Sequence, residues 1–445
     1  MATRSSATLL ASILLGLLLN QAPSLACDGS GQEPLPWPVE SRIFGSDQED
    51  FWSFGQDVDL DGETAVVGAD FADVGSTPDQ GAAYVFVLDD GSWTEQERLV
   101  AADGASGDRF GRSVGISGDV AVVGADLADI DGEIFQGALY VFERTGDEWT
   151  EVQKLTASDG DAQDKLGASA AIQGDLLAVG ATFEEGGRTE GCQTGAVYAF
   201  ERSGSVWLEA EKLFDPEGAC GDNFGNAVAL DGDTIAVGAN AAEIDGGINR
   251  GAVYVYVLVG GEWLLEQKLL ASDGEGVDEF GASVALDGDT LLVGAHKKTI
   301  GGNVRQGAAY VFRRNGGAWT EEQRLTATDG QAEGSFGTGA ALLGHVALVG
   351  AEFSFPGDPE RGVVYEYRYD GSVWNEIQKF AAPVGQGFDS FGRKLALTSR
   401  HLLIANKDNI VVSPPGGTAW IFGRPTLFAD GFETGDTGRW SQAVP

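Results

Sequence analysis

A Phe-Gly pair recurs along the chain at nearly constant spacing, and this repeat constrains the fold more than any other feature. Six copies and one Leu-Gly variant follow one another at steps of 55 to 58 residues. A Gly-Ala pair comes thirteen residues after the glycine in six copies, and the seventh has Ala405-Asn406 instead. The copies begin at Phe54, Phe110, Leu166, Phe224, Phe280, Phe336 and Phe391. A period of this length predicts an array of similar supersecondary units.

Each repeat predicts four short strands, which we name A to D in chain order. In the copy that starts at Phe280, four runs rich in β-branched and aromatic residues are separated by turn residues. Asp287–Asp289 and Asn315–Gly317 favour tight hairpins, because Gly, Asn and Asp tolerate positive φ. No run has the 3.6-residue apolar period of a helix. One repeat is therefore expected to form a four-stranded antiparallel meander.

Strand C carries two large aromatic side chains in every copy. They occupy positions i and i+2, so they point to the same face of the strand. The pairs are Tyr84/Phe86, Tyr140/Phe142, Tyr198/Phe200, Tyr254/Tyr256, Tyr310/Phe312, Tyr365/Tyr367 and Trp420/Phe422. A lone sheet would leave these rings in water, so we expect each sheet to stack on its neighbour.

The two ends of the array indicate how it closes. The seventh copy supplies strands A (Phe391–Leu397), B (His401–Ala405) and C (Thr418–Phe422), but no strand D follows. The segment Val39–Phe44 has the spacing of a strand D with no A to C before it. The sequence therefore predicts an all-β, seven-bladed β-propeller over residues 38–424, closed by an N-terminal strand that completes the last blade.

The pattern resembles the FG-GAP repeat family, the repeat of the integrin α-chain head, in a bacterial secreted subtype. The resemblance covers residues 39 to 422 and includes the Gly-Ala-Ala-Tyr-Val-Phe and Trp-Thr-Glu-Gln strands. It implies a seven-bladed propeller and a non-enzymatic module for binding or cell adhesion.

The terminal segments predict export. Residues 1–26 have a positive start, a short apolar stretch and small residues before Cys27, as a secretory signal peptide does. No other apolar run is long enough to span a membrane. We expect a secreted, extracellular protein; the alternative is an outer-surface lipoprotein anchored through Cys27. Residues 425–445 form a short C-terminal tail outside the predicted ring.

The other two cysteines, Cys192 and Cys220, are expected to form a disulfide. Cys192 lies in the B–C loop of blade 3, and Cys220 lies in the D–A loop that leads into blade 4. In a four-stranded meander these two loop types emerge on the same face, and an oxidising compartment favours the bond.

The chain is strongly acidic, with a formal net charge of −40. Such a surface repels nucleic acids and anionic lipids, and it suits solubility, cation association or a salty medium. We expect a monomer. Many acidic residues recur at equivalent positions, in the A–B turns and two residues before the Phe-Gly pair. The second set is expected to bond to backbone amides of the D–A loop: Asp108, Asp164, Asp222, Asp278 and Asp389.

One acidic stretch is a candidate calcium site. Asp57, Asp59 and Asp61 have the spacing of the calcium loop in integrin-type repeats. Calcium needs six or more oxygen ligands, and the ninth position, Ala65, carries no acid. The alternative is an acidic strand that runs into an ordinary turn. No other cofactor is expected.

Enzyme signatures are scarce. The three histidines, His296, His345 and His401, are too few and too scattered for a zinc site or a catalytic triad. A carboxylate-based glycan hydrolase or lyase is the alternative, with Glu184 and Glu185 as the nearest candidates. The more ordinary interpretation of that pair is a solvated loop.

The B–C loops are the best candidates for a binding surface, because they are the loops most able to differ between blades and they share one face with the D–A loops. Several cations stand out there: Arg188, Arg250, Lys297, Lys298, Arg305 and Arg361. Scattered solvated charges are the alternative to a shared anion site. We expect a binding module for an unidentified extracellular protein or glycan, or else a surface scaffold with no specific small ligand.

Overall fold

The computed structural model describes residues 37–47, 53–185, 192–353, 362–382, 390–407 and 417–424. Within these ranges the structure is all-β. No described segment forms a helix long and apolar enough to cross a bilayer. The predicted signal peptide, Cys27 and the predicted C-terminal tail lie outside the described residues.

The described strands, in chain order, are β1 (Val39–Ile43), β2 (Phe54–Asp61), β3 (Thr64–Ala69), β4 (Ala82–Asp89), β5 (Ser92–Leu99), β6 (Val114–Ser117), β7 (Val120–Ala125), β8 (Ala138–Thr145), β9 (Glu148–Leu155), β10 (Leu166–Gln173), β11 (Leu176–Ala181), β12 (Ala196–Ser203), β13 (Val206–Leu213), β14 (Phe224–Asp231), β15 (Thr234–Ala239), β16 (Ala252–Val259), β17 (Glu262–Leu269), β18 (Ser283–Asp287), β19 (Thr290–Ala295), β20 (Ala308–Asn315), β21 (Ala318–Leu325), β22 (Phe336–Leu343), β23 (Val346–Ala351), β24 (Val363–Tyr369), β25 (Trp374–Ala381), β26 (Leu395–Leu397), β27 (His401–Asn406) and β28 (Thr418–Gly423).

These strands form seven four-stranded antiparallel sheets. Six sheets take four consecutive strands each, from β2–β5 to β22–β25. The seventh has the order β1-β28-β27-β26, so the N-terminal strand is the strand D of blade 7. Strand A of each blade lies against strand A of the next, and β26 lies against β2. The predicted closed propeller is confirmed, although strand A of blade 7 begins only at Leu395.

The hydrophobic core is divided among the seams between blades. Each described cluster of buried residues is shared by two neighbouring blades, and the first joins strands of blades 7 and 1. The aromatic pairs of strand C are buried there, as predicted. In blade 1 the ring of Phe54 lies 5.5 Å from that of Tyr84 and 6.1 Å from that of Phe86, measured between centroids.

The Phe-Gly and Gly-Ala glycines meet at the seams. Gly68 of blade 1 packs so closely on Gly111 of blade 2 that a methyl group on Gly68 would overlap the Gly111 carbonyl. The same contact recurs at Gly124/Gly167, Gly180/Gly225, Gly238/Gly281, Gly294/Gly337 and Gly350/Gly392. The glycine spacing in the sequence therefore reflects the approach of one blade's backbone to the next.

Acidic and polar side chains of the A–B turns also cross the seams. The last residue of strand A accepts a hydrogen bond from the turn glycine N–H of the next blade. Pairs of this kind are Asp61/Gly118, Ser117/Gly174, Gln173/Gly232, Asp231/Gly288 and Asp287/Gly344, at 2.5 to 3.0 Å. These turn residues therefore have a structural role in joining blades.

Candidate binding face

The face that carries the B–C and D–A loops is named here the loop face, and its D–A loops are clamped in the same way in six blades. An aspartate in the D–A loop accepts a hydrogen bond from the strand C tyrosine of the blade that the loop enters. The same aspartate pairs with a Lys or Arg of strand D. These aspartates are Asp47, Asp103, Asp159, Asp215, Asp273 and Asp329.

The clamp affects ionisation as expected for a paired carboxylate. Burial raises the pKa of Asp103, but hydrogen bonds from Lys154 and Tyr140 outweigh it and hold the pKa below its usual value. Burial is the main cause that raises the pKa of Tyr140, with the bond to Asp103 adding to it. Both groups therefore keep their protonation states near neutral pH, and the loop stays attached.

The aspartates two residues before the Phe-Gly pair cap the D–A loop from within. Each accepts a backbone N–H three residues earlier, at 2.6 to 2.7 Å: Asp108 from Ala105, Asp164 from Asp161, Asp222 from Ala219 and Asp278 from Glu275. The expected backbone role is confirmed for these four. Asp389 lies outside the described residues.

The B–C loops of blades 1, 2, 4 and 5 share one conformation. Each contains an isolated antiparallel bridge, such as Val74 with Thr77. The carbonyl at each loop tip accepts a hydrogen bond from the D–A loop that enters the next blade. The tip residues are Pro78, Ile134, Ile248 and Val304, with N···O distances of 2.8 to 3.2 Å. The tips are therefore held in place by the neighbouring blade.

The loop tips present apolar side chains to solvent. Ile134, Ile248 and Val304 are 54%, 66% and 53% exposed, and Val277 on the adjoining D–A loop is 58% exposed. Large apolar side chains on rigid, exposed loops are typical of protein-interaction surfaces. The loop face is therefore chemically unlike the acidic surface expected from the net charge alone.

A groove of about 370 Å³ separates the B–C loops of blades 1 and 2. Apolar groups (Phe71, Leu127, Phe135) and acidic groups (Asp108, Asp129) line it. The guanidinium carbon of Arg109 lies 4.4 Å from the centroid of the Phe71 ring. The groove can therefore accept a side chain or sugar that has both apolar and polar surface.

The central channel encloses about 730 Å³ and is lined by the A strands of all seven blades. Ion pairs surround its mouth on the loop face: Arg112 lies 3.5 Å from Asp126, and Arg393 lies 3.5 Å from Glu352. Burial raises the pKa of the neighbouring Asp70 to about 6, despite the nearby cations. The mouth is therefore polar, with both acidic and basic side chains around it.

The conspicuous cations of the loop face are paired individually rather than gathered. The pairs are Arg250 with Asp245 (3.3 Å), Lys297 with Glu279 (2.5 Å), Lys298 with Asp278 (2.9 Å) and Arg305 with Glu333 (3.4 Å). Arg188 and Arg361 lie outside the described residues. The described cations therefore do not form a shared anion site.

The three aspartates predicted as calcium ligands point from strand A of blade 1 to strand A of blade 2, and we name them the three-aspartate row. They accept backbone N–H bonds at 3.0, 2.8 and 2.7 Å: Asp57 from Val114, Asp59 from Ile116 and Asp61 from Gly118. Among the described residues, no group of three or more His, Cys, Asp or Glu is arranged to hold a metal ion. Calcium binding stays a prediction.

The three histidines belong to three different blades. His296 lies 3.4 Å from Glu279, and burial lowers its pKa despite this neighbour. His345 is exposed on blade 6, and His401 is buried on blade 7. The structure does not bring them together.

The structure contains the predicted disulfide between Cys192 and Cys220, with a Cα–Cα distance of 4.9 Å. It joins the B–C loop of blade 3 to the D–A loop that enters blade 4. The interpretation of Glu184 as a solvated loop residue is wrong, because its side chain is buried and paired with Lys212. Glu185 is partly exposed.

Sequence reasoning missed the clamp of the D–A loops. Its aspartate precedes the Phe-Gly or Leu-Gly pair by seven residues in five of the six blades. That fixed spacing was a usable signal, but the tyrosine and the cation come 36 to 53 residues away in the chain. Nothing in one repeat alone connects the three positions.

The repeats match the FG-GAP repeat over residues 37–86, 93–142, 149–200, 207–256, 263–312 and 319–367. These matches cover more than half of the chain. The chain belongs to the FG-GAP repeat family. Each match begins at strand D of one blade and ends at strand C of the next, so the family's unit is offset from the blade by one strand. The first match begins at the closing strand β1. No curated protein matches the sequence.

Proposed function

We propose that this FG-GAP propeller is a secreted or cell-surface, non-enzymatic binding module, and that its loop face holds an extracellular protein. The observation that carries the proposal is the set of exposed apolar tips on loops that the next blade holds in place. A rigid apolar patch loses little conformational entropy when a partner covers it. The disulfide supports an oxidising, extracellular location.

A matched pair of triple variants tests the proposal. Ile134→Ser, Ile248→Ser and Val304→Ser together remove the apolar tips. Leu208→Ser, Leu264→Ser and Val259→Ser remove side chains that are 55%, 48% and 56% exposed on the outer rim. Both variants are screened beside the wild type against a panel of purified extracellular matrix proteins and immobilised glycans.

We expect the tip variant to lose at least tenfold in affinity for the partner that the wild type binds, and the rim variant to keep it, because a few apolar anchors dominate most interfaces. Loss in the rim variant alone would reject the loop face as the binding site. Binding only to glycans would show that the partner is a glycan rather than a protein. Turnover of a polysaccharide would favour the hydrolase or lyase instead. No binding at all would leave the surface scaffold as the better account.

A further inference from the structure

One position at the base of the B–C loop breaks the repeat. Three residues after the Ala of the Gly-Ala pair, blades 1, 2 and 4 have alanine. Blade 3 has Glu184 and blade 5 has Lys298, and both side chains are buried. An ionisable group in a buried alanine position needs a partner, because burial without one is costly.

The partner of Glu184 is a second carboxyl group. Asp164, which caps the D–A loop that enters blade 3, is 2% exposed and hydrogen-bonded to Glu184. Two buried carboxyl groups in contact repel each other strongly when both are ionised, and a single proton between them relieves the repulsion. Burial and the repulsion from Glu184 raise the pKa of Asp164 to about 7, although the N–H of Asp161 opposes this.

The other groups that face the pair do not supply enough positive charge. Lys212 pairs with both Glu184 and Asp159, so its one ammonium group is already shared between two carboxyl groups. Burial lowers the pKa of Lys212, but these two bonds outweigh it and raise the pKa above its usual value. Tyr198 donates to Asp159 at 2.7 Å. The three carboxyl groups of Asp159, Asp164 and Glu184 therefore carry more negative charge than Lys212 alone can neutralise. One added proton would reduce that excess.

Blade 5 provides an internal comparison at the same position. There Lys298 Nζ lies 2.9 Å from Asp278 and 2.7 Å from the carbonyl of Asp273. At this loop base an ion pair therefore takes the place of the contact between two acids. Only blade 3, among the blades described at this position, joins the two loops through two acids.

The pair lies where it controls the blade 3 loop. The carbonyl of Glu184 accepts N–H bonds from Thr194 (3.0 Å) and Gly195 (2.8 Å), which close the base of the B–C loop. The N–H of Phe183 donates to the carbonyl of Asp164 at 3.2 Å. Repulsion between the two side chains would therefore act on the bonds that hold this loop to the D–A loop.

We propose that Asp164 and Glu184 form a proton-operated switch, which holds the base of the blade 3 B–C loop closed while they share a proton and loosens it when both ionise. The pKa of Asp164 is higher in the closed state than its ordinary value, so the closed state binds more protons. Its extra stability is complete below about pH 4 and is lost as the pH rises through about 7.

Hydrogen exchange of the amides of Phe183, Thr194 and Gly195 tests the switch. After correction for intrinsic exchange rates, we expect protection to fall about ten- to a hundredfold between about pH 5 and pH 8, as linkage through a single group with this pKa requires. The equivalent amides of blade 2, whose loop base has Ala128, serve as the control in the same sample. They should change several times less.

Three variants separate the switch from general loosening. Glu184→Ala copies blades 1, 2 and 4, and Glu184→Lys copies blade 5, so the fold already accepts both residues at this position. Glu184→Gln preserves the side-chain size. All three remove the repulsion from Glu184 but leave Asp164 buried, so they should reduce the pH dependence of the blade 3 amides to that of the blade 2 amides. Equal protection of the wild type at both pH values, or a pH dependence as large in the alanine and lysine variants as in the wild type, would overturn the proposal.

Discussion

Substituting alanine for a seam glycine should destabilise the propeller even though the backbone at that position is ordinary. Gly238 belongs to the Gly-Ala pair of blade 4 and does not have a positive φ. A methyl group there would overlap the carbonyl oxygen of Gly281 on blade 5 and would lie 3.3 Å from the side chain of Asn226. The main obstacle is backbone, so rotamer changes cannot relieve the overlap, and the two blades must separate by about 1 Å.

The size of the effect follows from two opposing terms. Alanine in a strand is otherwise favoured over glycine by about 0.5–1 kcal/mol, so any net destabilisation must come from the contact. Overpacking of a close-packed core costs about 1–3 kcal/mol, and a backbone contact belongs at the upper end. With an unfolding entropy of about 2 cal/mol/K per residue over this ring, about 2–3 kcal/mol lowers the Tm by about 3–4 °C.

Differential scanning calorimetry measures the change, with Gly232→Ala as the control. Gly232 lies in the A–B turn of the same blade with a φ of 55° and open space around its Cα. That substitution should cost about 1–2 kcal/mol for the left-handed backbone alone. If Gly238→Ala melted at or above the wild-type Tm, close approach at the seam could not be the reason for the glycine repeat.

Three further predictions concern closure, the clamp and calcium. Deleting residues 38–44 removes the strand D of blade 7 and should abolish the single cooperative melting transition; a truncated protein that melts like the intact one, or scattering from an elongated rod, would contradict the closed ring. Tyr310→Phe removes the 2.6 Å bond to Asp273 and should cost about 1–2 kcal/mol in urea unfolding, and no change would refute the clamp. If the three-aspartate row binds calcium, saturating calcium at about 100 times Kd should stabilise the fold by about 3 kcal/mol, and an unchanged Tm in millimolar calcium would exclude such a site.

The fold was predictable because the constraint on each seam falls on a single residue type. Gly68 and Gly111 come from different repeats, but a side chain on either one would overlap the backbone of the neighbouring blade. Each position therefore requires glycine, and the glycines recur at a fixed spacing in the sequence. The closing strand was predictable for the same reason, since Val39–Ile43 copies a pattern that six other repeats display in full.

The loop face was less predictable because its interactions join residues of different type and distant position. Glu184 follows Phe183 in a loop segment that reads as hydrophilic, and its burial depends on Lys212 and Asp164, which neighbour it only in the folded blade. Exposure of Ile134 and Ile248 likewise depends on loops that turn outward after a bridge. Composition alone cannot distinguish an apolar residue at such a tip from one in the core.

The acidity of this protein has a structural cause beyond solubility. Blades of a propeller pack face to face, so the sheet of one blade does not continue into the next. The backbone N–H groups of the D–A loops therefore have no neighbouring strand to bond to and need side-chain acceptors. Two residues after the tryptophan of strand D, a glutamate accepts such an N–H in five blades: Glu95, Glu151, Glu209, Glu321 and Glu376.

Blade 4 provides the test of that explanation within the chain itself. Counted back from the Phe-Gly pair, the donor position of its D–A loop is Pro216, which carries no N–H, and the acceptor position is Leu265. The clamp aspartate of this loop, Asp215, lies two residues earlier than in the other blades by the same count. By this count, the blade that lacks the N–H donor is also the blade that lacks the glutamate. A glutamate retained only for surface charge would not depend on that donor. Replacing Pro216 by serine, the residue in three other blades, should therefore be stabilising only together with Leu265→Glu. A double-mutant cycle with no coupling between these two positions would show that the recurring glutamates are retained for charge alone.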